Sequence, residues 1–243
     1  MADGPRVNID IVEKRFPVLP VPLLAKFRLT VEPGQVVALV GPSGVGKSSI
    51  LRLVAGIDTD FDGSISINGL DASASPPAGF VFQDSRLLPW LTALENIRAV
   101  RAETTEAEAG ELLGRVGLAG YEAAYPAQLS GGMQRRVALA RAFSVNPRLM
   151  LLDEPFVSLD QHLVVGVQRV FLDLVRDTHA TAILVTHLPE DAARMADRAV
   201  ILRGMPARIV ADLPLLPVRE SRGETEIRAL ALAISKLADE AVN

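Results

Sequence analysis

None of the 243 residues is a cysteine. A disulfide framework, a thiol nucleophile and a thiolate metal centre are therefore excluded, and the composition fits a reducing compartment. The chain also lacks a Lys/Arg-rich block: 25 basic residues stand against 29 acidic ones, a formal net charge of −4. No nucleic-acid partner is expected from that balance, because backbone-phosphate binding draws on clustered positive charge. No apolar run approaches the roughly 18 residues of a membrane-spanning helix. The most apolar early stretch, Phe16 to Leu24, is broken by Pro17, Pro20 and Pro22. The opening Met1-Ala2-Asp3-Gly4-Pro5 has no apolar segment of the signal-peptide kind, so none is expected. Internal repeats and low-complexity tracts are absent. Apolar side chains are plentiful, at 49%, enough for a full core at this length. A soluble chain is expected, with any membrane role running through a partner.

The apolar residues fall into two kinds of run. Val36-Val37-Ala38-Leu39-Val40, Leu149-Met150-Leu151-Leu152, Ala182-Ile183-Leu184-Val185 and Val200-Ile201-Leu202 are apolar on both faces. Such runs predict parallel strands covered by helices on either side. Val7-Asn8-Ile9-Asp10-Ile11 and Ser64-Ile65-Ser66-Ile67 alternate apolar with polar, which predicts antiparallel strands with one wet face. Between about Leu87 and Phe143 the strand signal fades. Thr105-Glu106-Ala107-Glu108 has the form of a capping box, and Ala109, Leu112, Leu113 and Val116 follow at helical spacing. Gly114, Gly117 and Gly120 leave the end of that helix open. Ile227, Leu230, Ile234 and Leu237 form a further helical stripe, which packs either on the body of the same chain or on a partner. The expected division is one unit over 1–243: a core of 1–86 and 148–215, a helical lobe of 87–147 and a C-terminal helix of 224–240.

Gly41-Pro42-Ser43-Gly44-Val45-Gly46-Lys47-Ser48 follows an apolar strand and precedes a helix from about Lys47 to Val54. The pattern G-x-x-x-x-G-K-[ST] in that context is a phosphate loop. Its glycines let backbone N–H groups surround phosphate oxygens. Lys47 brings positive charge to the β and γ phosphates, and Ser48 offers a hydroxyl to Mg2+. Asp153 and Glu154 close the run from Leu149, beside the crevice where nucleotide would sit. Asp153 is expected to hold Mg2+ through water and Glu154 to polarise the attacking water as general base. An acidic strand end alone would be ordinary surface; the phosphate loop upstream reverses that reading.

A third motif narrows the field. Leu129-Ser130-Gly131-Gly132-Met133-Gln134 resembles the signature of the ATP-binding-cassette (ABC) transporter family. Residues 5 to 210 resemble that family's nucleotide-binding domain, with its motifs in the family's order. The resemblance implies an α/β fold: a P-loop NTPase core of mostly parallel sheet, an antiparallel β edge and an inserted α-helical lobe. It implies ATP and Mg2+ as cofactors. The implied nucleotide contacts are Phe16, the loop residues Gly41, Pro42, Ser43, Gly44, Val45, Gly46, Lys47, Ser48 and Ser49, and Ser130, Gly131, Gly132 and Asp160. Gln83 matches a glutamine that contacts the metal and senses the γ-phosphate, so Ser48, Gln83 and Asp153 are the implied metal set. Glu154, His187, Gln83 and Lys47 are the implied catalytic group, with His187 matching the switch histidine. A lone histidine after a strand is more often structural, but His187 ends the next strand after Glu154. Ser158-Leu159-Asp160 matches the D-loop. Phe16 occupies the place of an aromatic that stacks on adenine, with a core phenylalanine as the competing reading. Gly131-Gly132 opens a helix whose amides suit a γ-phosphate, and in the family that phosphate belongs to ATP held by the opposite subunit.

Arg86-Leu87-Leu88-Pro89-Trp90 resembles the importers of nitrate, aliphatic sulfonates and taurine. The implied function is that of the ATP-hydrolysing subunit of an ABC importer. The implied partners are a second, identical ATP-binding subunit, an integral membrane permease contacted near Arg86–Trp90 and, indirectly, a periplasmic or extracellular solute-binding protein. The implied location is peripheral, on the cytoplasmic face of the cell membrane. Trp90 as buried lobe core is the other reading of that position. Two departures stand out: Ser49 where the family usually has Thr, and Val157-Ser158 where these importers commonly show Gly-Ala. The alternative function is a soluble, non-transport ABC ATPase, but its usual coiled-coil insertions, zinc modules or second cassette are missing. A small-molecule kinase would need neither the signature nor His187.

Overall fold

The computed structural model describes residues 4–157 and 161–240. Ser158, Leu159 and Asp160 therefore lie outside the described residues. Alternation builds the first layer. In β1 (Val7–Lys14), Val7, Ile9 and Ile11 are buried while Asn8 and Val12 are exposed. β2 (Leu24–Val31) and β4 (Asp62–Ile67) flank it antiparallel, with Ile9 opposite both Leu29 and Ile65. β5 (Leu70–Asp71) extends the far edge.

The second sheet is mostly parallel. It comprises β3 (Val36–Val40), β6 (Gly79–Val81), β7 (Leu149–Asp153), β8 (Thr181–Thr186), β9 (Arg198–Arg203) and β10 (Arg208–Pro214). The strand order is β10-β9-β3-β8-β7-β6, and only β10 runs antiparallel to its neighbour. Its central strands have no wet face. Val36, Ala38 and Val40 enter one apolar cluster, and Val37 and Leu39 enter another. Met150 and Leu152 divide from Leu149 and Leu151 in the same way. The first cluster is closed by α5 (Gln161–Thr178), α6 (Pro189–Met195) and α7 (Glu224–Glu240). The second is closed by α1 (Lys47–Val54) and the antiparallel sheet. Burying each such side chain contributes about 1.5–3 kcal/mol. An exposed ion pair such as Arg6–Glu32 contributes about 0–1 kcal/mol, so burial dominates.

Between β6 and β7 the chain is helical. α2 (Ala93–Arg98), α3 (Glu106–Arg115) and α4 (Gly131–Ser144) share a third cluster containing Ile97, Leu113, Leu129 and Val137. The Thr105–Glu108 box forms in both directions: Glu108 N donates to Thr105 Oγ1 at 3.2 Å, and Thr105 N to Glu108 Oε2 at 2.8 Å. α3 ends at Arg115, and Gly117 takes the left-handed step beyond it, at φ 70. α4 is buried on two sides. Val137 and Ala140 join the lobe's cluster while Leu139 and Phe143 join the sheet's. The stripe on α7 is covered by its own chain: Ile227 and Ile234 are buried, and Leu230 and Leu237 pack on the same cluster. Trp90 is 69% exposed, so it is not lobe core.

Candidate active site

β3 delivers the phosphate loop and α1 leads it away. A Cβ at Gly41 would lie 2.5 Å from the Leu202 carbonyl oxygen of β9, so nothing larger fits there. Gly46 caps α1 from the left-handed region, at φ 107. Val45 turns inward and is buried in the second cluster, which ties the loop down. Lys47 is also buried. Its Nζ donates to the carbonyl oxygens of Gly41 at 2.7 Å and Pro42 at 2.9 Å. The Glu154 carboxylate, 3.9 Å away, is too distant for a hydrogen bond. Burial pulls the Lys47 ammonium below its ordinary pKa, with Glu154 and Asp153 opposing. A buried cation held by neutral carbonyls is disposed to accept an anion.

β7 ends at buried Asp153, which accepts a hydrogen bond from Ser48 Oγ at 2.7 Å. Burial pushes the Asp153 pKa up; the Ser48 bond opposes this and neighbouring Glu154 reinforces it. Glu154 itself adopts φ 46, a left-handed conformation uncommon outside glycine and frequent at functional sites. Its amide donates to Val185 O at 3.0 Å. Its Oε2 lies 3.2 Å from His187 Nδ1. Gln83 follows β6. It lines one cleft of about 360 Å3 together with Ser43, Gly44, Gly46, Lys47, Ser48, Ser49 and Glu154. Ser48, Asp153 and Gln83 offer hard oxygen donors. No cluster of three His, Cys, Asp or Glu side chains occurs among the described residues. That donor set suits Mg2+, which keeps water and phosphate oxygens as most of its ligands.

Other residues singled out by sequence stand apart from this cleft. Phe16 is half-buried against the second cluster, with Lys14 Nζ 4.8 Å from its ring centroid. Lys14 is 2% exposed and pairs with Asp58 at 2.9 Å. Ser130 caps α4, its Oγ accepting from Met133 N at 3.3 Å. Ser130 and Gly131 are exposed and Gly132 is buried, and none of the three lines the cleft of its own chain. Asp160 lies outside the described residues.

Several supporting residues carry no sequence motif. Leu23 lines the cleft beside the phosphate loop. Arg135 of α4 donates to Pro155 O at 3.1 Å, directly after Glu154. The turn bearing His187 is held from behind. Thr186 Oγ1 accepts from Leu188 N at 3.0 Å and donates to Asp191 at 3.0 Å, and Gln168 donates to the same carboxylate at 2.8 Å. The helical spacing of Gln168 and Asp191 with apolar neighbours marks them as inward-facing, but nothing local marks them as partners.

Burial pushes the Asp191 carboxyl up to about 6 from an ordinary 3.8. The folded chain therefore holds the extra proton between those values. The stability contributed by this group falls as pH rises from about 4 to about 6, by about 3 kcal/mol for the full shift. Denaturant titrations across that window should show wild type losing stability relative to Asp191→Asn as pH increases. A difference that does not change with pH contradicts the assignment.

Comparison with known proteins agrees with this geometry. The family profile described as ABC transporter matches residues 24–157. An aliphatic sulfonates import ATP-binding protein of Bacillus subtilis is 41% identical over 197 residues, spanning 79% of this chain and 77% of the relative. A protein of the same description from Bacillus cereus is 38% identical over 236 residues, spanning 93% and 94%. Among solved structures, the dimeric post-hydrolysis state of an ATP-binding cassette bound to ADP and Pi is similar at TM-score 0.77 and 28% identity, over 87% of this chain and 99% of that one. The P-loop core, the inserted helical lobe and the extent of these matches lead to one statement: this chain belongs to the ABC transporter family.

Proposed function

We propose that the chain is the ATP-hydrolysing subunit of an ABC importer, coupling ATP binding and hydrolysis to uptake of a small solute of the nitrate, sulfonate or taurine kind. One observation carries the reading. Lys47, Ser48, Gln83 and Glu154 line one cleft, with Asp153 bonded to Ser48 and His187 against Glu154, while Ser130 and Gly131 stand exposed at the start of α4. Half of a phosphate site is built here and the other half faces outward. A second copy, docked head to tail, would bring its Ser130, Gly131, Gly132 and Asp160 to the γ-phosphate. The import descriptions of the relatives favour transport over a soluble, non-transport ATPase.

The chain's own residues then divide the work. The loop from Gly41 to Ser49 surrounds the phosphates with its backbone N–H groups, Pro42 contributing none. Lys47 exchanges its Gly41 and Pro42 carbonyls for β and γ phosphate oxygens. Ser48, Gln83 and Asp153 would hold Mg2+, which supplies charge neutralisation at the phosphates and the leaving oxygen. Glu154 accepts the proton of the attacking water. His187, oriented by Glu154, donates a hydrogen bond toward the γ-phosphate. Phe16 offers a ring face to adenine, with Lys14 beneath.

The permease contact is assigned to the face around Arg86–Trp90. Trp90 projects into solvent, and an apolar groove of about 300 Å3 bordered by Phe80, Phe82 and Val100 is available to a helix. The solute-binding protein would act through the permease. Among the described residues no helix is long and apolar enough to cross a membrane, in keeping with peripheral attachment at the cytoplasmic face. Residues 1–86 and 148–215 form the proposed core, 87–147 the lobe that moves against it, and 224–240 the C-terminal helix. Affinity capture of a co-expressed permease tests the reading. Trp90→Ala is expected to lower capture about tenfold or more, as loss of a buried aromatic anchor does, while still binding ATP. Capture equal to wild type would refute the contact.

A further inference from the structure

Arg141 is a half-buried cation on α4 that no carboxylate neutralises among the described residues. Burial drives its guanidinium below the ordinary value. A cation in that setting is unfavourable unless its N–H groups find acceptors. They are engaged by two successive backbone carbonyls: Nη1 donates to Arg86 O and Nη2 to Ser85 O, each at 2.8 Å. Gln134, earlier on the same helix, accepts from Ser85 Oγ at 3.3 Å. Its amide is fixed in turn by the Pro126 and Leu129 carbonyls at 2.9 and 3.2 Å.

The loop held in this way joins Gln83 to Trp90. Arg86 adopts φ 45, and its guanidinium lies 4.0 Å from the centroid of Phe82, which stacks on Phe80 at 4.2 Å. A second clasp lies just beyond. Asn96, fully buried, donates to the carbonyls of Leu88, Leu91 and Thr92 at 3.1, 3.0 and 3.0 Å and accepts from Leu88 N at 2.7 Å. Leu87 alone separates the two clasps.

We propose that Arg141 is a positioning residue that stiffens the segment from Gln83 to Trp90 and fastens it to α4, so that displacement at Trp90 reaches both Gln83 and the Ser130–Gly131 end of that helix. The inference rests on the reading of Arg86–Trp90 as the permease contact. Arg141 also borders the groove formed with Phe80, Phe82 and Val100, so permease capture is the readout that separates transmission from docking. A lysine at 141 carries its donors on one nitrogen and cannot reproduce the planar fork in which Nη1 and Nη2 each meet a separate carbonyl, Arg86 O and Ser85 O.

The test uses the full-length cassette with its co-purified permease, comparing wild type, Arg141→Lys and Arg141→Ala. ATP affinity, permease capture and the ratio of permease-stimulated to unstimulated hydrolysis are measured. Arg141→Lys is expected to bind ATP and capture permease within about twofold of wild type, while the stimulation ratio falls about tenfold, the equivalent of one lost charge-assisted hydrogen bond. Arg141→Ala should show at least the same loss; if it fails to fold, the lysine variant still decides. Stimulation of Arg141→Lys equal to wild type overturns the inference alone. So does a fall in stimulation matched by an equal fall in capture, which would place Arg141 in docking. A wild-type cassette that the permease does not stimulate overturns the importer reading, and this inference with it.

Discussion

Glu154→Gln is expected to bind ATP, to dimerise on it, and to hydrolyse it about 100- to 10,000-fold more slowly than wild type, the range for losing a general base. The substitution keeps the shape of the side chain and its hydrogen bond toward His187, now 3.2 Å away. Among the described residues, it removes the one carboxylate that both lies 3.9 Å from Lys47 and lines the cleft. With that charge gone, repulsion of the γ-phosphate falls and bound ATP is held longer. Binding and chemistry therefore separate, and phosphate release with size-exclusion chromatography in ATP measures both. Hydrolysis near the wild-type rate would remove Glu154 from the mechanism.

The second large effect belongs to Lys47. Lys47→Met is expected to weaken ATP binding about 100-fold or more, since loss of a desolvated charge partner costs roughly 2–5 kcal/mol. Stability should move the other way or not at all. Lys47 is 4% exposed, and burial already disfavours its charge. Removing it relieves that penalty, which offsets the bonds lost at the Gly41 and Pro42 carbonyls. Fluorescent-nucleotide titration and thermal unfolding on the same sample separate the two effects. Affinity within about threefold of wild type, or unfolding of the variant, contradicts the role.

The sheet was legible because its central strands are apolar on both faces, a pattern with few other meanings. Strands that lack the pattern escaped. β2 carries Lys26 in a left-handed conformation at φ 52, which breaks its alternation. β6 has 3 residues, too short to show a period. β10 is an edge strand of alternating half-buried and exposed residues. The candidate site was legible where its residues are neighbours in sequence, as in the phosphate loop and Asp153-Glu154. The Glu154–His187 contact was not, because it depends on register. β7 and β8 pair parallel with Asp153 opposite Val185, and this sets Glu154 beside the residues that end β8. Arg141 and Asn96 escaped for another reason. Their partners are backbone carbonyls, which leave no trace in residue identity.

If each site is completed by a second copy, mixing two damaged chains should restore what neither has alone. Lys47→Met spoils a phosphate loop and keeps an intact signature; Gly131→Asp does the reverse, placing a carboxylate where a phosphate should lie. Each variant alone should be inactive. Mixed in equal amounts, half of the dimers pair one of each and contain one intact site, so about a quarter of wild-type hydrolysis should return. A mixture as inactive as its parts, or full activity in Gly131→Asp alone, would contradict the shared site.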